Sequence, residues 1–136
     1  MGAVLVPSGS GAAAVGRAAE APVRILVVDP DPLAADPVER AAPGAVVWRV
    51  DNAYAALAYA ETHSVDVLVT ERLLPGASAD DLLRRLEHRG TVIPVVICSH
   101  RHGPLGPRHP WVRAVFTKPV DPAELSVALS TAVAVA

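Results

Sequence analysis

Short apolar runs alternate along this chain with segments whose apolar residues have helical spacing. The runs are rich in Val, Ile and Leu, they are short enough to be strands, and four of them stop at a polar residue. Nearly continuous apolar runs of this kind are typical of strands that are buried on both faces of a sheet. Strands are predicted over residues 23–28, 45–50, 65–70, 92–98 and 112–116.

The segments between these runs carry helix signals. Asp31-Pro32 and Asp36-Pro37 each resemble a helix start with Asp as the N-cap, so the first helix is expected to be kinked or to begin late. Alternating strands and helices indicate an α/β fold, a doubly wound parallel sheet of five strands with right-handed crossovers. Further helices are predicted over residues 52–63, 78–90 and 121–136.

Polar side chains stand at the carboxyl ends of four of the predicted strands. They are Asp29, Glu71, Ser99 and Lys118, and Lys118 is the only lysine in the chain. The carboxyl ends of parallel strands meet at one edge of the sheet, where ligands of such folds usually bind. These four residues are therefore expected to form a small polar cup, which is the main candidate for a functional site.

Length and composition indicate one globular domain, because the chain has 136 residues of which 51% are hydrophobic. Residues 1–22, rich in Gly, Ala, Ser and Pro, are expected to be a flexible leader before a domain at 23–136. A net charge of −2 argues against nucleic-acid binding. No signal peptide or membrane span is recognised, so a cytoplasmic location is expected. The single cysteine, Cys98, is expected to be an inert core residue.

This order of strands and polar residues resembles the receiver domain of bacterial two-component response regulators. The matching stretches are I-L-V-V-D at 25–29, V-D-V-L-V-T-E-R-L-L-P-G at 65–76, P-V-V-I-C-S at 94–99 and F-T-K-P-V at 116–120. The resemblance implies a flavodoxin-like sheet with strand order 2-1-3-4-5. It also implies a cis peptide bond between Lys118 and Pro119.

The resemblance gives roles to the polar residues of the cup. In that family an aspartate after the third strand accepts a phosphoryl group, and two acids after the first strand hold Mg²⁺. A hydroxyl residue and a lysine contact the phosphoryl oxygens. Asp29 matches the first acid, Ser99 the hydroxyl residue and Lys118 the lysine.

Three positions depart from the family pattern. Glu71 stands at the phosphoacceptor position, Pro30 at the second metal-binding position, and Val115 where the family often has a switching aromatic residue. Pro30 has no side-chain oxygen, and Asp31 could replace it only in a rebuilt loop. Mg²⁺ binding is therefore expected to be weak or absent, and no metal or cofactor is predicted.

Glu71 allows two interpretations. Its carboxylate is displaced by roughly 1.5 Å from that of an aspartate, which disfavours phosphoryl transfer, a reaction that depends on positioning. The longer side chain could lie near the phosphoryl position, pair with Lys118 and hold the domain in one state, with one negative charge instead of nearly two. Alternatively, Glu71 and Lys118 form a structural ion pair that keeps Glu71 and Asp29 from repelling each other.

The stretch from His100 to Pro110 contains three prolines and two glycines, so the helix expected there is shortened or absent. One interpretation is a partner-binding loop, since Arg and Trp are frequent interface anchors; the other is a solvent-facing connector. A zinc site formed by His100, His102 and His109 is a further alternative. The residues proposed for partner binding are Arg101, Arg108, Trp111 and Arg113.

The sequence therefore predicts a stand-alone, atypical receiver, a pseudo-receiver that is not an enzyme and transmits signals through protein–protein contact without aspartyl phosphorylation. Its expected partners are a sensor kinase, a downstream effector or a second copy of itself, with no nucleic acid and no membrane. A first alternative is a phosphorylatable receiver with an altered site in a phosphorelay. A second is a small flavodoxin-like enzyme or ligand-binding protein that uses the polar cup.

Overall fold

The structure is a computed structural model that describes residues 21–100 and 109–135. Its main sheet has five parallel strands, in the order β2-β1-β3-β6-β7, and a separate two-stranded hairpin is formed by β4 and β5. The predicted fold, with its strand order 2-1-3-4-5, is confirmed. The strands in this part of the chain are β1 (Arg24–Val28), β2 (Val46–Val50), β3 (Val67–Thr70), β4 (Leu73–Leu74), β5 (Ala77–Ser78), β6 (Val95–Ser99) and β7 (Val112–Thr117).

Helices cover both faces of the sheet. Two apolar clusters result, one on each face: the first lies under α1 and α4 and the second under α2 and α3. Strands β1, β3 and β6 lie between these layers, and this explains why their residues are nearly all apolar and buried. The helices within the described ranges are α1 (Ala35–Ala41), α2 (Ala53–Thr62), α3 (Ala79–His88) and α4 (Pro122–Val135).

Helix α1 begins at Ala35, between the two predicted N-caps, so neither Asp31 nor Asp36 is the N-cap and both predictions were wrong. The Asp31 carboxylate accepts a hydrogen bond from the Leu33 N–H in a turn, and the residue at the N-cap position is Ala34, without a side-chain cap. Pro37 therefore falls in the first helical turn, where backbone N–H groups have no partner within the helix and proline is tolerated. The alternative that the helix begins late is the one observed.

Two other helix starts follow the sequence signals closely. Asn52 caps α2 by accepting from the Ala55 N–H, and Ser78 and Asp81 form a reciprocal capping box at the start of α3. Between α2 and α3, a turn at Leu74-Pro75-Gly76 closes the small β4–β5 hairpin, with Gly76 at φ +74°, a conformation that glycine adopts without strain.

The fourth strand of the main sheet, β6, begins at Val95 and not at the predicted position 92. Val92 is 71% exposed, so the apolar run was misleading there, and Pro94 has no N–H with which to extend the ladder. The predicted shortening or loss of the helix between β6 and β7 falls largely on residues 101–108, which lie outside the described residues. The leader, as far as residue 20, lies outside the described residues.

Candidate functional site

The polar cup lies at the carboxyl edge of the sheet, and all four predicted residues meet in it. Asp29 follows β1, Glu71 follows β3, Ser99 ends β6 and Lys118 follows β7. Parallel pairing brings these strand ends side by side, so residues far apart in sequence come within hydrogen-bonding distance. The Lys118–Pro119 peptide bond that leads out of the cup is cis, as the family resemblance implies.

Lys118 is the centre of the cup. Its Nζ donates to Asp29 Oδ2 at 2.5 Å and to Glu71 Oε1 at 3.1 Å. Burial lowers the pKa of the ammonium group, but the hydrogen bonds to Asp29 and Glu71 outweigh burial and raise that pKa above its usual value. Lys118 is therefore a permanent cation shared by two carboxylates.

The Glu71 carboxylate collects hydrogen bonds from three directions. Besides Lys118, the Ser99 hydroxyl donates to it, and the Arg72 N–H donates to Oε2 at 2.7 Å. Burial raises the pKa of Glu71, while these hydrogen bonds and the Lys118 charge together lower it below its usual value. Three donors thus hold Glu71 as an anion. Two of them, Ser99 and Lys118, match the positions that contact the phosphoryl group in receiver domains.

Asp29 is almost completely buried, with 4% of its surface exposed, and its acceptors are also in use. Oδ1 accepts from the Asp31 N–H at 2.9 Å and Oδ2 accepts from Lys118. Its backbone carbonyl accepts from the guanidinium of Arg49, on the neighbouring strand β2, at 2.9 Å. The residue that would be the first metal ligand is therefore fixed by protein donors on both of its carboxylate oxygens.

The residues of the cup do not fit a magnesium ion. Mg²⁺ requires several oxygen ligands in octahedral geometry, whereas the ammonium of Lys118 lies directly between the Asp29 and Glu71 carboxylates. Pro30 offers no side-chain oxygen, and Asp31 uses Oδ1 to accept from Leu33 in the turn. Across residues 21–100 and 109–135, no group of three or more His, Cys, Asp or Glu side chains is arranged to hold a metal ion.

Two neighbours of the cup have apolar surroundings. The Cys98 thiol is buried, and burial raises its pKa to about 12, so this thiol is protonated and unreactive at neutral pH. Val115 packs partly buried against the cluster under α2 and α3, at the position where a receiver often has an aromatic ring. Its short β-branched side chain has no ring that could swing between two positions.

The proposed partner-binding residues are found in different environments. Trp111 packs partly buried against the cluster under α2 and α3, and its ring meets that of His109 edge-on with centroids 4.6 Å apart. Arg113 is exposed and donates to the Pro110 carbonyl. Of the proposed zinc ligands, His109 lies 3.4 Å from the Glu87 carboxylate. Arg101, His102 and Arg108 lie outside the described residues.

Three contacts were not predicted from the sequence. Arg49 reaches the carbonyl of Asp29, and nothing in the sequence marks a single arginine on an edge strand for this contact. Trp48 stacks on Tyr59, and Tyr59 stacks on His63 with ring centroids 4.1 Å apart. The spacing of four residues between Tyr59 and His63 could have indicated the second stack. Trp48 is 54% exposed, so this stack lies at the surface.

Comparison with solved structures identifies the fold. A CheY-like response regulator receiver domain from Methylobacillus flagellatus superposes with a TM-score of 0.72 at 22% identity, over 82% of this chain and 98% of that one. A sensor protein from Polaromonas sp. JS666 gives a TM-score of 0.71 at 24% identity, with 82% and 95% covered. The chain has the receiver-domain fold. A receiver domain from Clostridium thermocellum, at 24% identity and a TM-score of 0.66, agrees over 82% and 94% of the chains.

Comparisons of the sequence itself give no match. No protein-family model matches it, and no curated protein matches it either. Within the described residues, none of the helices has the length and apolar character that crossing a membrane requires.

Proposed function

We propose that this chain is a cytoplasmic signalling module with a receiver fold, a pseudo-receiver that works through protein–protein contact and without an aspartyl phosphorylation cycle. The observation that carries the proposal is the bonding of Glu71. Its carboxylate accepts from Ser99 and Lys118, the two side chains that match the phosphoryl-binding positions of the family. An anion that belongs to the protein therefore occupies the donors that a phosphoryl group would need.

Charge balance supports the same proposal. A phosphoryl group brings nearly two negative charges next to the existing acids, and receivers offset this with a divalent cation. Here the single charge of Glu71 is offset by Lys118, and the Lys118 ammonium lies where it separates Glu71 from Asp29. The cup is complete without a metal and without a phosphoryl donor.

A single fixed conformation is favoured by Val115, which stands at the position of the switching aromatic residue. In receivers the hydroxyl position and an aromatic ring move together, whereas Ser99 is buried and engaged with Glu71, and Val115 is packed against the core. We infer that the module is held in one conformation, which it presents to its partner continuously. Regulation would then depend on how much of the protein is present or on what binds to it.

A protein partner is the proposed output of the module. The structural relatives bear names such as response regulator receiver domain and chemotaxis response regulator, which supports a place in signal transduction. A sensor kinase, a downstream effector or a second copy of the chain are the proposed partners. The exposed Arg113, next to the half-buried Trp111, is the described part of the surface proposed for this contact.

The proposal is tested by phosphorylation of the purified protein. The chain is incubated with acetyl phosphate and Mg²⁺, and the mass of the intact protein is measured over time. The expected result is no phosphoryl adduct, because Glu71 is misplaced as an acceptor and no metal is held beside it. A stoichiometric adduct that maps to Glu71 or Asp31 would reject the proposal in favour of an altered but working phosphorelay receiver.

A matched control reverses two of the three departures from the family pattern, those at Pro30 and Glu71. The double variant Pro30→Asp, Glu71→Asp restores an acid at the metal-binding position and shortens the acceptor side chain. It is expected to form an adduct at position 71 under the same conditions, which shows that the assay detects a competent site on this scaffold. Each single variant is expected to remain unlabelled or weakly labelled, because positioning and metal are both required.

A further inference from the structure

A cavity of about 400 Å³ opens beside the polar cup, between α1, α4 and the carboxyl ends of β1, β3 and β6. This volume lies within the range of small-molecule sites in proteins. The walls are mostly apolar, and the polar groups are concentrated where the cavity meets the cup. The apolar walls include Leu33, Pro37, Val38, Val120, Pro122 and Leu125.

The late start of α1 explains why the cavity exists. Two prolines and the Asp31 turn keep residues 29–34 out of the helix, so the segment that leads from β1 to Ala35 forms turns above the sheet. Leu33 projects from this segment and is 73% exposed although it lines the cavity. An apolar side chain at the mouth of an apolar cavity is a surface that a ligand could cover.

The polar end of the cavity has an excess of negative charge. Three carboxylates line it, those of Asp29, Asp31 and Glu71, and the ammonium of Lys118 is shared by two of them. Arg40 and His100 also line the cavity, and the Arg40 guanidinium pairs with Asp36 at 3.0 Å on the exposed side of α1. Asp31 is exposed, and Lys118 forms its ion pairs with Asp29 and Glu71 and not with Asp31.

We propose that this cavity binds a small amphipathic amine, a molecule with an apolar chain and a primary ammonium group. The apolar chain lies between α1 and α4 against Pro37, Val120 and Pro122, partly exposed wall residues, where it is removed from water. The ammonium group points to Asp31 and offsets the excess negative charge at the edge of the cup. This binding goes beyond the proposed signalling function and does not depend on whether Glu71 imitates a phosphoryl group.

Three probes that share one apolar chain test the proposal. Hexylamine, hexanol and hexanoate are titrated separately into ¹⁵N-labelled full-length protein, and amide shifts are followed at neutral pH. Hexylamine is expected to bind most tightly and hexanoate most weakly, with shifts at residues 33–38 and 119–125. A preference of about fivefold for the amine over the alcohol is expected from one exposed charge pair.

Two variants test the contributions of the apolar wall and of the charged end to binding separately. Ala34→Phe, which adds a ring to a half-buried wall residue, is expected to abolish binding of both hexylamine and hexanol. Asp31→Asn is expected to remove the preference for the amine and to leave hexanol binding unchanged. Glu39→Gln, at an exposed carboxylate of α1 that does not line the cavity, is the matched control and is expected to bind like the natural protein. Circular dichroism melting verifies that each variant is folded.

The proposal is overturned if hexylamine and hexanol cause no saturable shifts at these residues, or if a folded Ala34→Phe variant still binds them. Hexanoate binding as tightly as hexylamine would also overturn it, because the negative end would then not select the ligand. None of these results concerns phosphorylation, so a failure here is distinguishable from a failure of the pseudo-receiver proposal.

Discussion

The ammonium group of Lys118 lies 3.1 Å from the carboxylate of Glu71, across a gap of 47 residues in the sequence. Both side chains are largely shielded from water, with 15% of Lys118 and 11% of Glu71 exposed. Removing one partner of such a buried ion pair leaves the other charge buried without compensation. The resulting loss of stability is larger than the stabilisation that the pair's attraction contributes. This relationship makes the pair a sensitive point for the stability of the fold as well as for its function.

Replacing Lys118 with methionine is therefore expected to destabilise the protein strongly. The Asp29 and Glu71 carboxylates would be left close together without a cation, and a loss of about 3 kcal/mol in the free energy of unfolding is expected. Urea denaturation at neutral pH measures this loss. The double variant Lys118→Met, Glu71→Gln, which also removes one of the repelling charges, is expected to regain part of it; a double variant no more stable than Lys118→Met would contradict this explanation.

The lowered pKa of Glu71 predicts how stability depends on acid. Because the folded state holds Glu71 ionised below the usual value of 4.5, its stabilising contribution is present above that pH and is lost as the pH falls through the lower, folded-state value. The natural protein is expected to lose stability more steeply below pH 4.5 than the Glu71→Gln variant does. Thermal melts of both proteins over a series of acidic buffers compare the slopes, and parallel slopes would show that Glu71 is not linked to folding.

The capping box of α3 gives a prediction that is independent of the cup. Ser78→Ala removes the hydroxyl that accepts from the Asp81 N–H, and a loss of about 1 kcal/mol in the free energy of unfolding is expected. Ser78→Asp keeps an acceptor at the N-cap and is expected to be nearly as stable as the natural protein. Chemical denaturation measures both, and equal losses in the two variants would rule out capping as the cause.

The two tryptophans are expected to respond differently to truncation. Trp111 packs against the cluster under α2 and α3, so Trp111→Ala is expected to lower the free energy of unfolding by about 2 kcal/mol, below the range for fully buried aromatics. Trp48 is 54% exposed, and Trp48→Ala is expected to cost less. If the order of the two losses in urea denaturation were reversed, Trp111 would be available for a partner and would not be a packing residue.

The strands are predicted well because their continuous apolar runs correspond to burial on both faces of the sheet. Runs such as the one ending at Asp29 are apolar on both faces, and the structure buries them in the centre of the sheet in the predicted order. Helix starts are predicted where a side chain can accept locally, as at Asn52 and Ser78. At Asp31 the same signal was misleading, since its carboxylate serves a turn instead of a helix.

The cup was predicted because strand ends converge in any parallel sheet, but its bonding pattern could not be predicted. That Glu71 accepts from the Arg72 N–H depends on how the chain turns after β3, and the Arg49 contact depends on the geometry of an edge strand. The cavity follows from the exact residue at which α1 begins, and helix boundaries are the weakest part of a sequence-based prediction.

The central claim is that Glu71 already occupies the donors that a phosphoryl group would use. Amide spectra of the ¹⁵N-labelled protein, recorded before and after addition of Mg²⁺ and beryllofluoride, a phosphoryl analogue, test it directly. No change is expected at Ser99 or Lys118 in the natural protein, whereas the Pro30→Asp, Glu71→Asp variant is expected to show shifts at both. Saturable shifts at Ser99 and Lys118 in the natural protein would contradict the claim.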